Sequence, residues 1–551
     1  MNTPIYDFVK RYADLRPARF HMPGHKGRGP LGCEEWDITE IPGADSLYEA
    51  AGIIAESEAN ASRLFGCPTF YSTEGSSHCI RAMLLLAMQS CHSMPCPEQR
   101  RRGSEESVLP AAQRATEGGG RGSFDFAALR SGRQLTGRFR VLAARNCHKA
   151  FLSAAALLDV DVAWLPASGG SYLSAQPTPE DLDAALGETG ADAVYLTCPD
   201  YLGFLPDLAP LAAVCHAHGA LLLVDNAHGA YLRFLRPSRH PMDLGADLCC
   251  DSAHKTLPVL TGGAYLHVAE RLCEARDQGS GIKDQGLGDD QGSGPAVEAH
   301  SVRPPETAAR TVRDALALFG STSPSYLILQ SLDLANPYLE TLPERLVDFL
   351  PRVEALKSRL RAAGWTIVGD EPMKLTLSLT AADNTSPACR GGGPALRPVE
   401  GSHPSPRVSF GASLAAALEQ AGIYCEFFDA DYLVCMLSPN NTDEELEHLT
   451  QALTNTGDGS LCSFIGDSDG AALRQHRGPS PVSPLRVCSL RAAMLAPAVT
   501  VPARESLGRV LARPGVSCPP AVPILMPGER IDEAAVAAFA KYGIQTVSVL
   551  L

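Results

Sequence analysis

The sequence predicts an α/β protein: a large domain with a mostly parallel β-sheet, followed by a smaller C-terminal α/β domain. From residue 139 onward, short apolar runs of strand length alternate with helical patterns, as in Leu221–Asp225 and Leu248–Asp251. These runs are apolar throughout, which is typical of parallel strands covered by helices on both faces. Polar residues end several of the runs, and ligands collect at the carboxyl ends of strands in such sheets.

The composition limits the classes of function. Of the 551 residues, 45% are hydrophobic and 20% are charged, as in a soluble globular protein. The formal net charge of −15, without any basic run, argues against nucleic acid and anionic membranes as partners. The N-terminal segment MNTPIYDFVKRYADL lacks the apolar core of a signal peptide, and the longest apolar stretches fall short of a membrane span. We therefore expect a cytoplasmic protein.

The 17 cysteines are scattered, without a disulfide framework or a C-x-x-C pair. Several fall in predicted core strands, which is the pattern of reduced thiols in a cytoplasmic protein. One local group, Cys79, Cys91, His92 and Cys96, has a spacing that suits zinc poorly, so we expect no metal site.

The N-terminal part supplies two turns suited to an anion. RFHMPGHKG at 19–27 is rich in cations and backbone donors, and it suits an anionic group or a subunit contact. A short strand at 69–71 leads to STEGSS at 72–77, directly before a helix at 78–88. Glycine and hydroxyl groups at that position form a phosphate cradle, because free N–H groups and the helix dipole face the anion. An ordinary serine N-cap is the alternative.

Composition shifts divide the chain. Four polar or low-complexity stretches are interpreted as insertions without chemistry of their own, at 92–137, 275–298, 382–406 and 455–480. Beyond a helical region at 327–362, which is predicted in segments, strand-like stretches recur at 365–368, 375–379, 424–429 and 433–437. The predicted organisation is an N-terminal arm over 1–45, a large domain over 46–305 and a C-terminal small domain over 306–551.

The residues with the clearest chemistry are Lys255 and Asp225. Lys255 follows the apolar run Ala246–Asp251, where an ammonium loses hydration and must be paired or neutralised. One use for such a lysine is a Schiff base, and the alternative is a lysine that snorkels to the surface. Asp225 ends a strand thirty residues earlier. Pyridoxal phosphate needs this pairing, because the lysine holds its aldehyde and the carboxylate keeps its pyridine nitrogen protonated.

Other polar residues are predicted at the same edge of the sheet. His148 follows the strand at 139–144, and Asp200 and His228 follow the strands at 193–197 and 221–225. A histidine there could stack on a cofactor ring, although an isolated histidine at a strand end is more often structural.

Five separated motifs occur in a fixed order: RFHMPGHKG at 19–27, VDNAHGA at 224–230, SAHKTL at 252–257, STSPSY at 321–326 and PILMPGE at 523–529. In these motifs the chain resembles the prokaryotic Orn/Lys/Arg decarboxylase family, pyridoxal-phosphate enzymes with the aspartate-aminotransferase fold (fold type I). The resemblance covers most of the chain outside the insertions. Without an amino-terminal receiver-like wing domain, the chain is similar to the shorter members.

The resemblance implies a role for each cofactor residue. Lys255 would form the Schiff base, Asp225 would pair with the pyridine nitrogen, and His148 would stack on the ring. The remaining cofactor-binding positions, most of them around the phosphate, are Gly75, Ser76, Ser77, His228, Ser252 and His254.

The resemblance also implies an assembly and a substrate site. Ser321 and Thr322 would reach the phosphate of the neighbouring subunit, so the expected assembly is a homodimer or a higher homo-oligomer. Glu529 stands where the family has a candidate carboxylate for the substrate's distal cation, with Glu426 and Asp45 as alternatives. The other interpretation of Glu529 is a cap of the helix that begins near Ile531, where an acid suits the helix dipole.

The implied reaction is decarboxylation of a basic amino acid, as in polyamine biosynthesis. The sequence leaves open whether the substrate is arginine, lysine or ornithine. A different pyridoxal-phosphate reaction, such as transamination or another lyase reaction, and a non-catalytic homologue are the alternatives. The chain departs from the usual family residues at Glu74 (Asn), Asn226 (Glu) and Ala253 (Thr), which leaves the substrate and the rate undetermined.

Overall fold

The computed structural model describes residues 1–93, 138–165, 171–273, 304–379, 410–454, 485–515 and 520–551. The predicted insertions at 275–298, 382–406 and 455–480 lie outside the described residues, as does the first insertion except for residues 92–93, which end a helix.

A seven-stranded sheet forms the centre of the large domain. Its strands are β1 (Thr69–Ser72), β2 (Arg140–Ala143), β3 (Asp161–Trp164), β4 (Ala193–Thr197), β5 (Leu221–Asp225), β6 (Leu248–Asp251) and β7 (Ala264–Val268). The order across the sheet is β1-β7-β6-β5-β4-β2-β3. Strands β2 to β6 pair in parallel, whereas β7 is antiparallel to both of its neighbours. The α/β fold class predicted from the alternating pattern is confirmed.

Both faces of this sheet are buried, as continuously apolar strands predict. Along β5, Leu221 and Leu223 pack into the core on one face, and Leu222 and Val224 pack into the core on the other. The helices of the N-terminal half are α1 (Pro4–Asp14), α2 (Ile53–Phe65), α3 (Ser76–Ser93), α4 (Lys149–Leu157), α5 (Pro179–Thr189), α6 (Leu208–Ala217) and α7 (Ala253–Thr256).

Helix α5 illustrates how local sequence sets these boundaries. Thr178 and Asp181 form a reciprocal capping box at its start, with Pro179 in the first turn. Gly190 ends the helix in the left-handed conformation, with φ of 59°.

Strand β7 was not predicted. The apolar run Leu257–Leu260 before the double glycine is a loop, and the strand is the AYLHV segment that follows it.

The region at 327–362, predicted as helical segments, is instead one helix, α9 (Tyr326–Ala362), which continues through three prolines. Its apolar stripe is buried along nearly its whole length, and this packing outweighs the loss of single backbone hydrogen bonds at proline.

The C-terminal part carries two further antiparallel sheets. One has the order β10-β11-β9-β8, with β8 (Thr366–Val368), β9 (Lys374–Ser378), β10 (Phe427–Phe428) and β11 (Tyr432–Met436). The other has the order β12-β14-β13, with β12 (Ala498–Pro502), β13 (Leu511–Arg513) and β14 (Thr546–Leu550). The remaining helices are α8 (Glu306–Ala317), α10 (Phe410–Gln420), α11 (Asp443–Thr454), α12 (Leu490–Leu495) and α13 (Glu533–Lys541). The predicted domain boundaries stay a prediction.

Register places the polar strand ends side by side. Asp225 at the end of β5 lies opposite Thr197 of β4 and Cys250 of β6.

Within the described ranges, every helix is too short or too polar to cross a bilayer.

Candidate active site

Asp225 is a buried carboxylate without a cationic partner in contact. The Tyr195 hydroxyl donates to its Oδ2 at 3.0 Å, and the Ala227 N–H donates to Oδ1 at 3.2 Å. Among the described side chains, no lysine, arginine or histidine forms an ion pair with it. Burial raises its pKa, and the nearby positive charge of Lys255 only partly opposes that shift. A buried carboxylate in this condition fits a protonated ring nitrogen.

Lys255 lies in the short helix α7, one strand away from Asp225. Its side chain is exposed, and its Nζ lies 3.0 Å from Nε2 of His228. His228 is buried, and burial together with the charges of Lys255 and Lys374 holds its pKa well below its usual value. The imidazole of His228 is therefore neutral near pH 7. The structure thus brings together three predicted residues, Asp225, His228 and Lys255.

Lys374, at the start of β9, belongs to the same cluster and was missed from the sequence. It is buried, and its Nζ lies 2.9 Å from Nδ1 of His228, on the other side of the ring from Lys255. Nothing near Lys374 in sequence matches a cofactor motif. The available signal was a lysine in a strand whose other core residues, such as Leu375 and Leu377, are apolar.

The predicted phosphate residues form a cradle at the N-terminus of α3. The Ser252 hydroxyl donates to Oγ of Ser76 at 2.7 Å, which joins the end of β6 to the first turn of the helix. The His78 N–H donates to the Gly75 carbonyl oxygen at 3.1 Å. The N–H groups of Ser76 and Ser77, at the start of the helix, precede the first intrahelical acceptors, and this suits them to an anion. Gly75 has φ of 74°, and a Cβ added there would meet no atom within 4 Å, so the space beside the turn is open. Ser77 lies in the same first turn, half-buried.

The two other predicted histidines line the same region. His148 caps α4, where its Nδ1 accepts the Ala150 N–H at 3.1 Å. Burial and the charges of Lys255 and Lys149 lower the pKa of His148 to about 4, so it presents a neutral ring. His254 is fixed through its Nδ1, 3.1 Å from the Gly263 carbonyl oxygen, and burial lowers its pKa.

Several buried polar atoms beside these residues have no partner within the described protein. They are both side-chain polar atoms of Asn146 and the hydroxyl groups of Thr197 and Thr256. Unpaired buried polar atoms are rare, and next to a functional site they indicate groups that meet a ligand. With Asp225 and the α3 cradle, they fit a ligand that carries an anionic group and a cationic ring.

Glu529 does not lie free in the pocket. Its two carboxylate oxygens accept from the Arg145 guanidinium at 2.8 and 2.9 Å, and Oε2 also accepts the Met526 N–H at 2.8 Å. Both partners are largely buried. Asp532, not Glu529, caps α13, because its carboxylate accepts the Ala535 N–H. The predicted substrate role of Glu529 stays a prediction, and its charge is already compensated.

The two alternative acids differ sharply. Asp45 accepts four backbone N–H groups, those of Ser46, Ala51, Gly52 and Ile54, so it organises a turn. Glu426 is exposed and accepts from the Tyr201 hydroxyl at 3.0 Å. Burial lowers the pKa of His254 and of Lys374, and the negative charge of Glu426 partly opposes both shifts, which places Glu426 near the cluster.

Ser321 and Thr322 are exposed in the described chain. The Ser321 N–H donates to Oε1 of Glu74, one residue before Gly75 of the cradle. Their predicted contact with a neighbouring subunit stays a prediction.

The departures at Asn226 and Ala253 have a physical account. The Asn226 amide donates to Oδ1 of Asp251 at 2.6 Å, a bond that an ionised glutamate in its place could not donate. Ala253 is fully buried in the apolar core, where no hydroxyl is needed.

Comparisons with known proteins identify relatives of this chain. The sequence profile of the Orn/Lys/Arg decarboxylase major domain matches residues 134–373. The chain is 25% identical to the uncharacterized protein YaaO of Bacillus subtilis, covering 97% of this chain and 93% of that protein. It is 24% identical to an arginine decarboxylase of Halalkalibacterium halodurans, covering 97% of this chain and 91% of that protein.

Solved structures share the fold. A lysine decarboxylase of Francisella novicida superposes with a TM-score of 0.65 at 14% identity, covering 100% of this chain and 81% of that one. The constitutive lysine decarboxylase of Escherichia coli gives a TM-score of 0.61 at 16% identity, with the same coverage. At these identities the likeness is one of fold, that of the fold-type-I enzymes.

Proposed function

The chain belongs to the Orn/Lys/Arg decarboxylase family, a family of pyridoxal-phosphate enzymes, and from this premise we propose that it decarboxylates a basic amino acid. The products are carbon dioxide and the corresponding amine. The observation that carries the proposal is the buried, uncompensated Asp225 beside Lys255 and the α3 cradle. This arrangement serves a cofactor with a cationic ring, an aldehyde and a phosphate.

The residues present fit pyridoxal phosphate. Asp225, supported by the Tyr195 hydroxyl, would hold a proton at the ring nitrogen. Lys255 would hold the aldehyde, and Ser76 and Ser252 with the first turn of α3 would hold the phosphate. When bound, this cofactor supplies the electron sink that accepts the electron pair left after loss of a carboxylate.

His148 and Tyr195 prepare the site for that group. The helix cap fixes the orientation of the His148 ring, and its low pKa keeps the ring neutral, so it does not compete with the positive charge that Asp225 has to balance. The Tyr195 hydroxyl fixes one oxygen of Asp225 and leaves the carboxylate charge in place.

We propose Glu426 as the acid that receives the distal cation of the substrate. A long cationic side chain entering a protein site needs a carboxylate in place of its lost hydration. The only described hydrogen bond to the Glu426 carboxylate comes from the neutral Tyr201 hydroxyl, whose ring lies 5.2 Å from that of His228. Glu529, the residue predicted from the sequence, is the rival, although Arg145 already neutralises it.

The assembly belongs to the same proposal. A cytoplasmic homodimer, or a larger homo-oligomer built from it, would bring Ser321 and Thr322 of one subunit to the cradle of the next. The exposure of both residues, beside Glu74 of the cradle loop, supports this arrangement.

The test is an assay of carbon dioxide release from arginine, lysine and ornithine, with pyridoxal phosphate present. We expect release from at least one of them, a visible absorbance band, and borohydride fixation of the cofactor on the peptide that contains Lys255. The Lys255→Ala variant should lose all three. Formation of a 2-oxo acid without carbon dioxide would instead favour an aminotransferase, and fixation on Lys149 would overturn the site.

A further inference from the structure

The motif RFHMPGHKG has no role in the proposed reaction. It lies in a loop that follows α1, the arm loop (residues 16–31), which contains neither helix nor strand. Three large apolar side chains of this loop are exposed: Phe20 is 95% exposed, Met22 is 69% exposed and Leu31 is 82% exposed. Exposed apolar side chains that occur together are typical of a surface that binds another protein.

The arm loop is held in one conformation by its own polar groups. The Arg19 guanidinium is buried, and it donates to three backbone carbonyl oxygens within residues 34–37, at 2.7–3.4 Å. Oε1 of the buried Glu34 accepts the Leu31 N–H at 2.8 Å. Because the backbone is fixed before a partner binds, little ordering entropy opposes a contact made by Phe20.

The charge of the arm loop indicates the kind of partner. The loop carries four cationic residues, Arg16, Arg19, Lys26 and Arg28, and no acidic residue, whereas the whole chain has a formal net charge of −15. Complementary charge steers association and favours one partner over another. A second copy of this acidic chain therefore suits the basic arm loop.

The segment after the arm loop is attached to the N-terminal end of α9. The Gln330 amide donates to the Trp36 carbonyl oxygen at 2.9 Å, and the Tyr326 hydroxyl donates to the Asp45 carbonyl oxygen at 2.7 Å. Ser321, which is proposed to face the neighbouring subunit, directly precedes this end of the helix. The arm loop and the proposed subunit contact therefore belong to the same part of the molecule.

The candidate active site is open beside the same helix. The Lys255 side chain is exposed, and the apolar side chains of Leu260 and Leu318 are 52% and 67% exposed. The Leu260 N–H donates to Oγ of Ser331, in the second turn of α9. Active sites are commonly closed against water during the reaction, so an apolar cover suits this opening.

We propose that the arm loop of one copy packs over the candidate active site of a second copy, with Phe20 and Met22 against the exposed Leu260 and Leu318. The inference rests on the proposed function, since the covered site is the proposed catalytic site. Two-fold symmetry repeats the contact, so each copy supplies one arm loop and receives one. A single copy leaves Lys255 open to water.

The first experiment measures the affinity between copies. Sedimentation velocity of the full chain with pyridoxal phosphate, over a range of protein concentrations, gives the dissociation constant of the dimer. Phe20→Ser should raise this constant about 30-fold, the effect of one strongly contributing interface residue. The substitution should leave the fold of each chain intact, because Phe20 is almost fully exposed. Val347→Ser is the matched control, since Val347 is 64% exposed in the middle of α9, and it should leave the constant unchanged.

Three results of this experiment would overturn the proposal. They are a wild-type chain that stays monomeric at every concentration, an unchanged dissociation constant in the double variant Phe20→Ser/Met22→Ser, and an equal rise in Val347→Ser.

The second experiment locates the contact. The photoreactive amino acid p-benzoylphenylalanine takes the place of Phe20 in isotopically light and heavy chains, which are mixed below the measured dissociation constant, concentrated together and illuminated. Peptide pairs that join a light chain to a heavy chain come from two copies, and we expect them at the peptides that contain Leu260 or Leu318. Pairs within single chains only, or mixed pairs far from both leucines, would overturn the proposal.

Failure of the proposed function gives a different result, because neither experiment requires turnover. A dimer with these cross-links but without carbon dioxide release would refute the proposed reaction and leave the arm contact in place. Carbon dioxide release by a monomer would refute the arm contact and leave the proposed reaction in place.

Discussion

Asp225 and Asp251 end neighbouring parallel strands and are both buried. Within the described chain, Asp251 has two histidine partners and Asp225 has no basic partner. Among the described residues, Asp225 receives neutral hydrogen bonds, from the Tyr195 hydroxyl, the Ala227 N–H and the Cys250 thiol, and burial raises its pKa. Asp251 lies between His240 and His267, each with Nε2 at 3.1 Å from its Oδ2. Burial alone would raise the pKa of Asp251, but the two histidines lower it well below its usual value.

The difference separates a structural carboxylate from one that awaits a ligand. The protein supplies Asp251 with its countercharge, and it leaves Asp225 short of one at the carboxyl end of the sheet. Farther out, the same contrast recurs between Glu529, paired with Arg145, and Glu426, which has a hydroxyl donor. For the buried Asp225, the missing countercharge is evidence for a cationic partner, because a buried charge without one is unfavourable. Glu426 is exposed, so water solvates its charge until a substrate covers it.

Removing the charge of Asp251 should have the largest effect on stability. Asp251→Asn removes the carboxylate that raises the pKa of the buried His267 and that lies 3.1 Å from Nε2 of His240. Breaking one side of a buried ion pair costs about 3–5 kcal/mol. Urea unfolding of the cofactor-free protein measures the loss. Asp225→Asn is the matched control and should be as stable as the wild type or more stable. Equal losses in the two variants would contradict the distinction.

Asp225→Asn should instead act on catalysis. A neutral amide cannot hold a proton on the ring nitrogen, and removal of one preorganised electrostatic group lowers kcat about 10²- to 10³-fold. The variant should still bind pyridoxal phosphate and fix it on Lys255 with borohydride. Near-normal carbon dioxide release with bound cofactor would show that Asp225 is only a structural cap.

The large-domain half of this site was predictable from the sequence. The strands ending at Asp225 and Asp251 have the predicted bounds, because buried parallel strands are uninterrupted apolar runs that end in polar residues. Asp225, His228 and Lys255 then meet because parallel strands place their carboxyl ends on one edge. Strand β7 escaped prediction because it follows a double glycine and runs antiparallel, outside the alternating pattern.

The pairing of charges could not be predicted. Lys374 lies 119 residues beyond Lys255, and only the packing of β9 against the large domain brings it to His228. Arg145 and Glu529 are 384 residues apart, so nothing local shows that Glu529 is neutralised. Sequence patterns identify which residues carry charge, whereas the fold determines which charges are compensated.

Substitution of Glu426 should have a smaller effect, on substrate binding, and Glu529 provides the comparison. Glu426→Gln should raise KM for the preferred basic amino acid about 10- to 150-fold, the equivalent of a charge-assisted hydrogen bond of about 1.5–3 kcal/mol. Glu529→Gln should leave KM nearly unchanged and lower stability, because it leaves the buried Arg145 without its carboxylate. The reverse pattern in KM would return the substrate role to Glu529.

The smallest effect is a pH dependence confined to the compensated pair. Burial by itself lowers the pKa of His267, but the Asp251 carboxylate outweighs it, and the net pKa lies above 6.5. The contribution of His267 to stability is therefore complete below pH 6.5 and is lost as the pH rises through the raised pKa. The pKa of Asp251 is lowered, so its own contribution is present above pH 3.8 and is lost only in strong acid.

The stability difference between wild type and His267→Gln, measured by urea unfolding from pH 5 to pH 9, should be greatest near pH 5–6 and shrink toward pH 9. Each unit of pKa shift corresponds to about 1.4 kcal/mol. The same experiment on Tyr195→Phe, which removes the hydroxyl that donates to Asp225, should give a difference without this trend. A flat profile for His267→Gln would mean that His267 is neutral beside Asp251.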